Sequence, residues 1–292
     1  MSKSLINISV IIPFYFGNAY MSRLMKSIYT VADFLIEKSK FEVIIINDSP
    51  QIDVILPEGL DNELVDIQIY KNEHNIGIQG TRINGLRRAS GEWVIFLDQD
   101  DELLVNGFME QIELAQFADV VVGNGLYQYN KKDKRIFFSI KVMDYLIRKK
   151  MFLCIRNLIP SPGECLIRKS AIPDIWISSP LQHSGSDDWF LWLTLFHENK
   201  IFKCNENLVY KHNDAGGNNL SLDLYKMFQS SIEMCNTLIG YLAPFEIKLL
   251  KEAVEFKYLQ DSKKLKISTL IKYKRPICNN IIYKISLIFL RL

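Results

Sequence analysis

Asp98-Gln99-Asp100-Asp101 places three carboxylates directly behind an apolar run, Val94-Ile95-Phe96-Leu97. Carboxylates that close repel one another and raise each other's pKa. A hard divalent cation removes the conflict, because carboxylate oxygens are the ligands that Mg²⁺ and Mn²⁺ prefer. Mg²⁺ uses one or two protein carboxylates and completes its shell with water and phosphate oxygens. Asp98 and Asp100 therefore read as a metal–diphosphate site with Mn²⁺ or Mg²⁺ as the cofactor. The alternative is an acidic turn that caps the next helix. A second acidic pair, Asp187-Asp188, precedes the apolar run Trp189 to Phe196. A carboxylate-rich start of this kind marks a helix N-terminus, where an acid stabilises by about 0.3–1 kcal/mol.

The elements that must position these residues follow from periodicity. Residues 8–14, Ile-Ser-Val-Ile-Ile-Pro-Phe, form a short β-branched run that predicts a buried strand. Met21, Leu24, Met25, Ile28, Val31 and Leu35 recur at helical spacing. Residues 41–46 predict a second strand, ending in the turn Asn47-Asp48-Ser49-Pro50. Strand, helix, strand over so short a stretch is a βαβ unit and implies a parallel sheet. Residues 67–70 predict a third strand, 75–80 a glycine-containing loop, 81–89 a helix and 93–97 a fourth strand. A helix over 103–115 and a strand over 119–122 follow. Asp48 and the Asp98 cluster then share the carboxyl ends of parallel strands, where open α/β sheets form their ligand crevice. Beyond this, 131–156 reads as a basic amphipathic excursion, 165–167 as a strand, and 214–219 as a Gly/Asn-rich loop. From Leu222 onward the pattern is helical.

Composition sets the frame. The chain has 292 residues, 48% hydrophobic and 23% charged, which excludes a disordered chain, a collagen-like chain and a disulfide miniprotein. No run reaches the roughly 18–20 uncharged apolar residues of a membrane span. Met1 to Ser9 carries no signal-peptide pattern. The 5 cysteines include no Cys-x-x-Cys pair, which argues against a zinc site or a disulfide framework and for a reducing cytoplasm. Net charge is +2, yet no acidic residue follows Asp261. The tail carries +8, from Lys263, Lys264, Lys266, Lys272, Lys274, Arg275, Lys284 and Arg291, which leaves the preceding residues at −6. That asymmetry implies an anionic partner, with a solvated basic helix face as the plain alternative. Cations alternate there with Leu265, Ile267, Leu270, Ile271, Ile281, Ile282 and Ile285, the pattern of a helix lying in a membrane interface.

Taken in order, several segments resemble the family 2 glycosyltransferases of the GT-A fold. Val10-Ile-Ile-Pro13-Phe-Tyr15 resembles the opening strand and nucleotide-contacting turn of that family. Val43-Ile-Ile-Ile-Asn-Asp48-Ser49 resembles its second strand with a base-recognising aspartate. Asn75-Ile-Gly77 through Arg82-Ile-Asn84-Gly85 resembles the loop and helix beside the donor phosphates. Gly91 to Asp101 resembles the Asp-x-Asp metal motif and its strand, and Asp187-Asp188-Trp189 the acidic pair that supplies the catalytic base. Tyr210-Lys211-His212 with Gly216-Gly217-Asn218 resembles a late loop whose histidine approaches the metal. Asp187 stands where the family often has Glu, and extra residues separate His212 from the glycines.

The resemblance implies an α/β, GT-A-like, Rossmann-related and mostly parallel sheet flanked by helices over residues 1–220. A helical, basic extension follows over 221–292. It implies a hexosyltransferase that moves a sugar, with inversion, from a nucleotide donor (UDP-linked) to a hydroxyl of a glycan or lipid-linked acceptor. Asp188, with Asp187 as the alternative, would be the general base. Asp100, Asp98 and His212 would hold the metal. Pro13, Tyr15, Asp48, Arg82 and Asp98 would meet the donor. Asp48 would accept the imide N–H of uracil, or else close an Asx-turn with Ser49-Pro50. Arg82 would pair with diphosphate, or else lie on the surface. Trp189 and Asp101 are the acceptor-side candidates, with core packing the alternative for Trp189. The placement would be cytoplasmic, peripheral on the inner face of the membrane through the basic tail, with no nucleic-acid partner. Two rivals remain: a nucleotidyltransferase, which would want a glycine-rich phosphate loop near the N-terminus, and a catalytically inactive glycan-binding scaffold.

Overall fold

The computed structural model describes residues 5–61, 63–129, 132–213, 223–266 and 271–291. The first strands form where the β-branched runs lie. They are β1 (Ile6–Phe14), β2 (Ser39–Asn47), β3 (Val65–Lys71) and β4 (Trp93–Phe96), all parallel, in the order β3-β2-β1-β4. Helix α1 (Asn18–Phe34) buries Met21, Leu24, Met25, Ile28 and Val31, the stripe its spacing predicts. These side chains join Val10, Ile12, Val43, Ile45 and Ile95 in one apolar core.

Helix α2 (Gly77–Arg88) starts four residues before the predicted Thr81. The Asp48 carboxylate explains the early start, because it accepts the amide N–H groups of Ile76 (2.9 Å) and Gly77 (3.1 Å). Those donors have no partner inside the helix, so the carboxylate does the work of a cap from outside it. Gly77 has φ +78, a conformation that favours glycine. Helix α2 lies against the sheet at Gly85, where a Cβ would run into Ile11.

The second half of the sheet departs further from the sequence reading. Glu102 and Leu103 begin no helix: they form a short strand β5 (Glu102–Leu103), and α3 (Phe108–Ala115) starts after a 3₁₀ turn. Strand β6 (Val120–Tyr129) runs well past Val122, through Gly123-Asn124-Gly125. Next come β7 (Lys132–Arg135), β8 (Cys165–Arg168) and β9 (Phe202–His212). Strand β8 joins β4 to β6 with antiparallel pairing on both sides, β9 is parallel to β6, and β5 closes on β9. The β6–β9 register shifts at Asn124. At Gly123 and Gly125 a Cβ would meet Val209 and Tyr210, so the two strands can approach only without side chains there.

The chain divides into two compact units. One, Met1–Phe137, Ser161–Ile172 and Lys200–Gly217, carries the whole sheet and α1 to α3. The other, Phe138–Pro160, Pro173–Asn199 and Asn218–Leu292, is helical among its described residues. It contains α4 (Ile140–Leu146), α5 (Lys149–Cys154), α6 (Asp174–Ser178), α7 (Asp187–His197), α8 (Leu224–Thr237), α9 (Pro244–Asp261) and α10 (Lys274–Arg291). The predicted basic excursion supplies α4 and α5, and α5 packs on α7 and α9. Among the described residues no helix is long and apolar enough to cross a membrane.

Candidate active site

In the sheet unit, the candidate residues gather at the carboxyl ends of β1, β2 and β4. Strand β4 delivers the acidic turn. Asp98 accepts a hydrogen bond from the Arg82 guanidinium of α2 at 2.5 Å. Arg82 is 3% exposed. It is a buried anchor that holds Asp98, and it does not offer the open fork that a diphosphate contact needs. Gln99, the middle residue of the motif, clasps the turn after β1: it accepts from the Tyr15 amide (2.8 Å) and donates to the Tyr15 carbonyl (2.9 Å). Its carboxamide fills the space where a Cβ on Gly17 would stand. Pro13 is half-buried at the end of β1, whereas Tyr15 is exposed, its ring edge-to-face with Phe16.

Asp100 is held by its backbone, since its carbonyl accepts from Arg23 (2.7 Å) and from the Asn213 side chain (3.1 Å). Burial, then the charges of Asp101 and Asp98, push the Asp100 carboxyl up to about 6. Asp101 is 1% exposed, so it does not face an acceptor. It accepts from the Tyr210 hydroxyl, from His212 Nδ1 (3.0 Å) and from the Asn213 amide (3.2 Å). The hydrogen bond to Asp101 raises the pKa of His212 and leaves Nε2 as its outward nitrogen. This is the carboxylate–histidine pairing that orients a metal-ligating imidazole.

A Mn²⁺ or Mg²⁺ ion fits the chemistry of this turn. Among the described residues no three His, Cys, Asp or Glu side chains converge on one point, so Asp98, Asp100 and His212 do not form a closed cage. A cation that completes its shell with phosphate and water needs only one or two carboxylates. Asp100 presents the carboxylate whose crowding a cation would relieve, and Asp98 has one oxygen engaged by Arg82.

Asp48 does not close an Asx-turn. That task falls to Asn47, whose Oδ1 accepts the Ser49 amide at 2.9 Å. Asp48 is buried: Oδ1 accepts from the Asn72 side chain (2.8 Å) as well as from Ile76, and Oδ2 accepts from Gly77.

In the helical unit, Asp187 and Asp188 form the first turn of α7, as the acid-rich start predicts. Asp187 is buried, and its carbonyl accepts from the Trp176 indole at 2.8 Å. Asp188 is half-buried. Its Oδ2 accepts from the Asn157 side chain at 2.7 Å, and its Oδ1 from the Trp189 amide at 2.6 Å. Trp189 is no acceptor platform: it is 4% exposed and donates its indole N–H to the Phe152 carbonyl at 3.1 Å.

The loop that leads into α7 is pinned to α8. The Glu233 carboxylate accepts from the amides of Gln182 (2.7 Å) and His183 (2.9 Å) and pairs with His183 Nδ1 (2.8 Å). Burial pushes Glu233 up, but these donors outweigh it and hold the carboxyl below its usual value. Ser230 accepts the Ser186 amide (3.0 Å) and donates to the His183 carbonyl (2.7 Å). Gly185, at φ +123, packs where a Cβ would strike the Met227 sulfur. Replacing Ser230 by Ala removes both bonds and should cost about 1–2 kcal/mol. Amide exchange at Ser186 should quicken by about tenfold, the same energy read locally. Unchanged exchange there would show that the loop is held elsewhere.

Sequence reasoning missed Gln99, Asn157, Glu164 and Glu233. Only Gln99 had a signal, its place inside the motif. Glu164 precedes β8, is fully buried, and among the described residues has no hydrogen-bond partner on either carboxyl oxygen. Burial, then the Asp101 charge, holds its pKa well above the usual range. A raised folded-state pKa means that ionisation disfavours the native chain once pH passes the unfolded value of about 4.3. Glu164→Gln should therefore match the wild type in thermal stability near pH ~4 and exceed it increasingly as pH rises to ~8. A difference that does not vary with pH would exclude ionisation as its cause.

Comparison with known proteins sets this geometry in a family. The family model described as "Glycosyl transferase family 2" matches residues 9–176, more than half of the chain. An uncharacterized glycosyltransferase of Rickettsia felis is 26% identical over 96% of this chain and 45% of its own length. The chain thus spans less than half of that relative. A Campylobacter jejuni protein named GalNAc(5)-diNAcBac-PP-undecaprenol beta-1,3-glucosyltransferase is 25% identical over 79% of this chain and 74% of its own. Among solved structures, S. aureus TarS in complex with UDP-GlcNAc superposes with TM-score 0.59 at 14% identity, over 93% of this chain and 79% of that one. The mannosyltransferase PcManGT of Pyrobaculum calidifontis, in complex with GDP-Man and Mn²⁺, gives 0.56 at 12% identity, over 98% and 84%. The sheet order and these likenesses are those of the GT-A fold. The chain belongs to glycosyl transferase family 2 and carries a glycosyltransferase domain of that fold.

Proposed function

We propose that this chain transfers a sugar from a UDP-linked donor to a hydroxyl of a glycan or lipid-linked acceptor, with inversion and with Mn²⁺ or Mg²⁺ as cofactor. The observation that carries the reading is the acidic turn of Asp98, Asp100 and Asp101 at the end of β4, braced by Arg82, Gln99 and Asn213. The nucleotide-sugars bound by TarS and PcManGT, and the Mn²⁺ in the PcManGT complex, support it. The undecaprenol-linked acceptor in the name of the Campylobacter relative supports a lipid-linked acceptor.

The residues divide the work. Tyr15 stacks on the base, and the Asp48 carboxylate accepts the imide N–H of uracil. Asp100, with Asp98 and the outward Nε2 of His212, would hold the cation. A bound divalent ion neutralises the charge that develops on the leaving diphosphate. Asp188 takes the proton of the acceptor hydroxyl as that oxygen bonds to the anomeric carbon and the bond to phosphate breaks. Asn157 fixes the Asp188 carboxylate. The catalytic domain is proposed over 1–220, with 221–292 as its extension. We place the protein in the cytoplasm, on the inner face of the membrane.

The test is calorimetric titration with UDP and with GDP, each with and without Mn²⁺. Metal-dependent UDP binding is the expected result. Absence of nucleotide binding under every condition would overturn the donor site and favour a scaffold role.

A further inference from the structure

Helix α10 has two faces, and both carry apolar residues. One face is packed. Tyr273, just before the helix, is 4% exposed and donates to Glu255 of α9 at 2.7 Å. Ser286 accepts from Tyr145 of α4 at 3.0 Å. Lys272 and Arg275 also reach back to α9, to Glu255 (3.1 Å) and Glu252 (3.7 Å).

The other face is open. Ile281, Ile282, Ile285 and Ile288 are 47–60% exposed, although isoleucine is among the residues most often buried. At 3.6 residues per turn they fall within an arc of about 120°, nearly opposite the packed side. Scattered exposed apolar side chains need no explanation, but a contiguous isoleucine stripe along one helix does. Lys274 and Lys284 lie at its start and edge, with no ion pair among the described residues. No acidic residue follows Asp261, so the helix itself carries no charge that repels an anionic surface.

We infer that the open face of α10 is a docking surface for an anionic lipid bilayer. The inference rests on the peripheral placement proposed above and names the face that achieves it. The isoleucines enter the acyl boundary while Lys274 and Lys284 reach the headgroups along flexible stems. A second copy of the chain fits less well, because pairing this face with itself would bring two helices without a single acid between them into contact. No residue of the stripe belongs to the proposed donor or acceptor machinery, so docking and donor binding can be measured apart.

The experiment is co-sedimentation of the full chain with vesicles of phosphatidylcholine and phosphatidylglycerol in equal parts, against pure phosphatidylcholine. Binding to the anionic vesicles alone is expected. Raising salt from about 0.1 to about 1 M shortens the screening length from about 10 to about 3 Å and should release the protein. The double variant Ile281→Glu/Ile285→Glu should bind at least about tenfold more weakly. Charge reversal in Lys274→Glu/Lys284→Glu should remove the preference for anionic lipid. Both variants should keep the UDP affinity of the wild type. Lack of vesicle binding with UDP binding intact would overturn the docking face and leave the proposed activity standing. So would vesicle binding that neither variant weakens. Self-association in light scattering, broken by the isoleucine variant and without vesicle binding, would assign the face to a second copy instead. Vesicle binding without UDP binding would sustain the docking face and sink the activity.

Discussion

Asp188→Asn should abolish sugar transfer, by about 10³-fold, while UDP binding and thermal stability stay near the wild type. A positioned general base contributes about 10²–10⁴-fold, and an amide cannot accept the acceptor's proton. The substitution keeps shape. Oδ1 still receives the Trp189 amide, and the bond lost is that from Asn157, whose Oδ1 stays on the Ile159 amide. Asp187 is the weaker candidate, because it is buried whereas Asp188 is half-exposed. Steady-state kinetics with calorimetry on the same preparations decide the matter. A variant that still turns over at a tenth of the wild-type rate would remove Asp188 from the base role. A variant that fails to bind UDP would mean that Asp188 shapes the donor site instead.

Much of the first hundred residues was legible because local pattern and final environment agree. Strands β1, β2 and β4 are buried on both faces, and such strands read as unbroken β-branched runs. Helix α1 shows its stripe because one side meets the core. Strand β9 was missed because its sequence, Phe-Lys-Cys-Asn-Glu-Asn-Leu-Val-Tyr-Lys-His, mixes polar and apolar residues without a clean period. It exists through pairing with β6, roughly eighty residues away in the chain. The full length of β6 was hidden by Gly123, Asn124 and Gly125, which weaken strand propensity but allow β6 and β9 to approach.

The site divides along the same line. That acids would lie at the ends of β4 and β2 and at the start of α7 followed from local sequence. What each acid touches did not. Arg82 reads as a diphosphate contact or as a surface helix cation, and only the fold shows it buried against Asp98. Asp101 reads like its neighbours until β9 brings Tyr210 and His212 onto it. The glycines expected in the late loop, Gly216 and Gly217, lie outside the described residues.

Asp98 and Asp100, two residues apart, should fail in opposite ways. Asp98→Ala removes the carboxylate paired with a guanidinium that is 3% exposed. The pair is buried on the arginine side only, Asp98 being 30% exposed, so losing this charged hydrogen bond costs about 1.5–3 kcal/mol. For a chain of this size that lowers Tm by roughly 2–5 °C. Asp100→Ala carries no such penalty. Its hydrogen bonds run through the backbone carbonyl, which the substitution keeps. Its carboxyl is crowded by burial and by two acidic neighbours, so its loss relieves repulsion and Tm should hold or rise. What Asp100→Ala loses is the proposed cation, and with it metal-dependent UDP binding, which should weaken at least about a hundredfold. Thermal melts in a chelator, set beside UDP titrations with Mn²⁺, separate the two outcomes. If Asp98→Ala melts with the wild type, Arg82 is held by other partners and Asp98 belongs to the ligand rather than to the fold. If Asp100→Ala keeps full metal-dependent binding, the cation sits elsewhere and the turn is a structural cap.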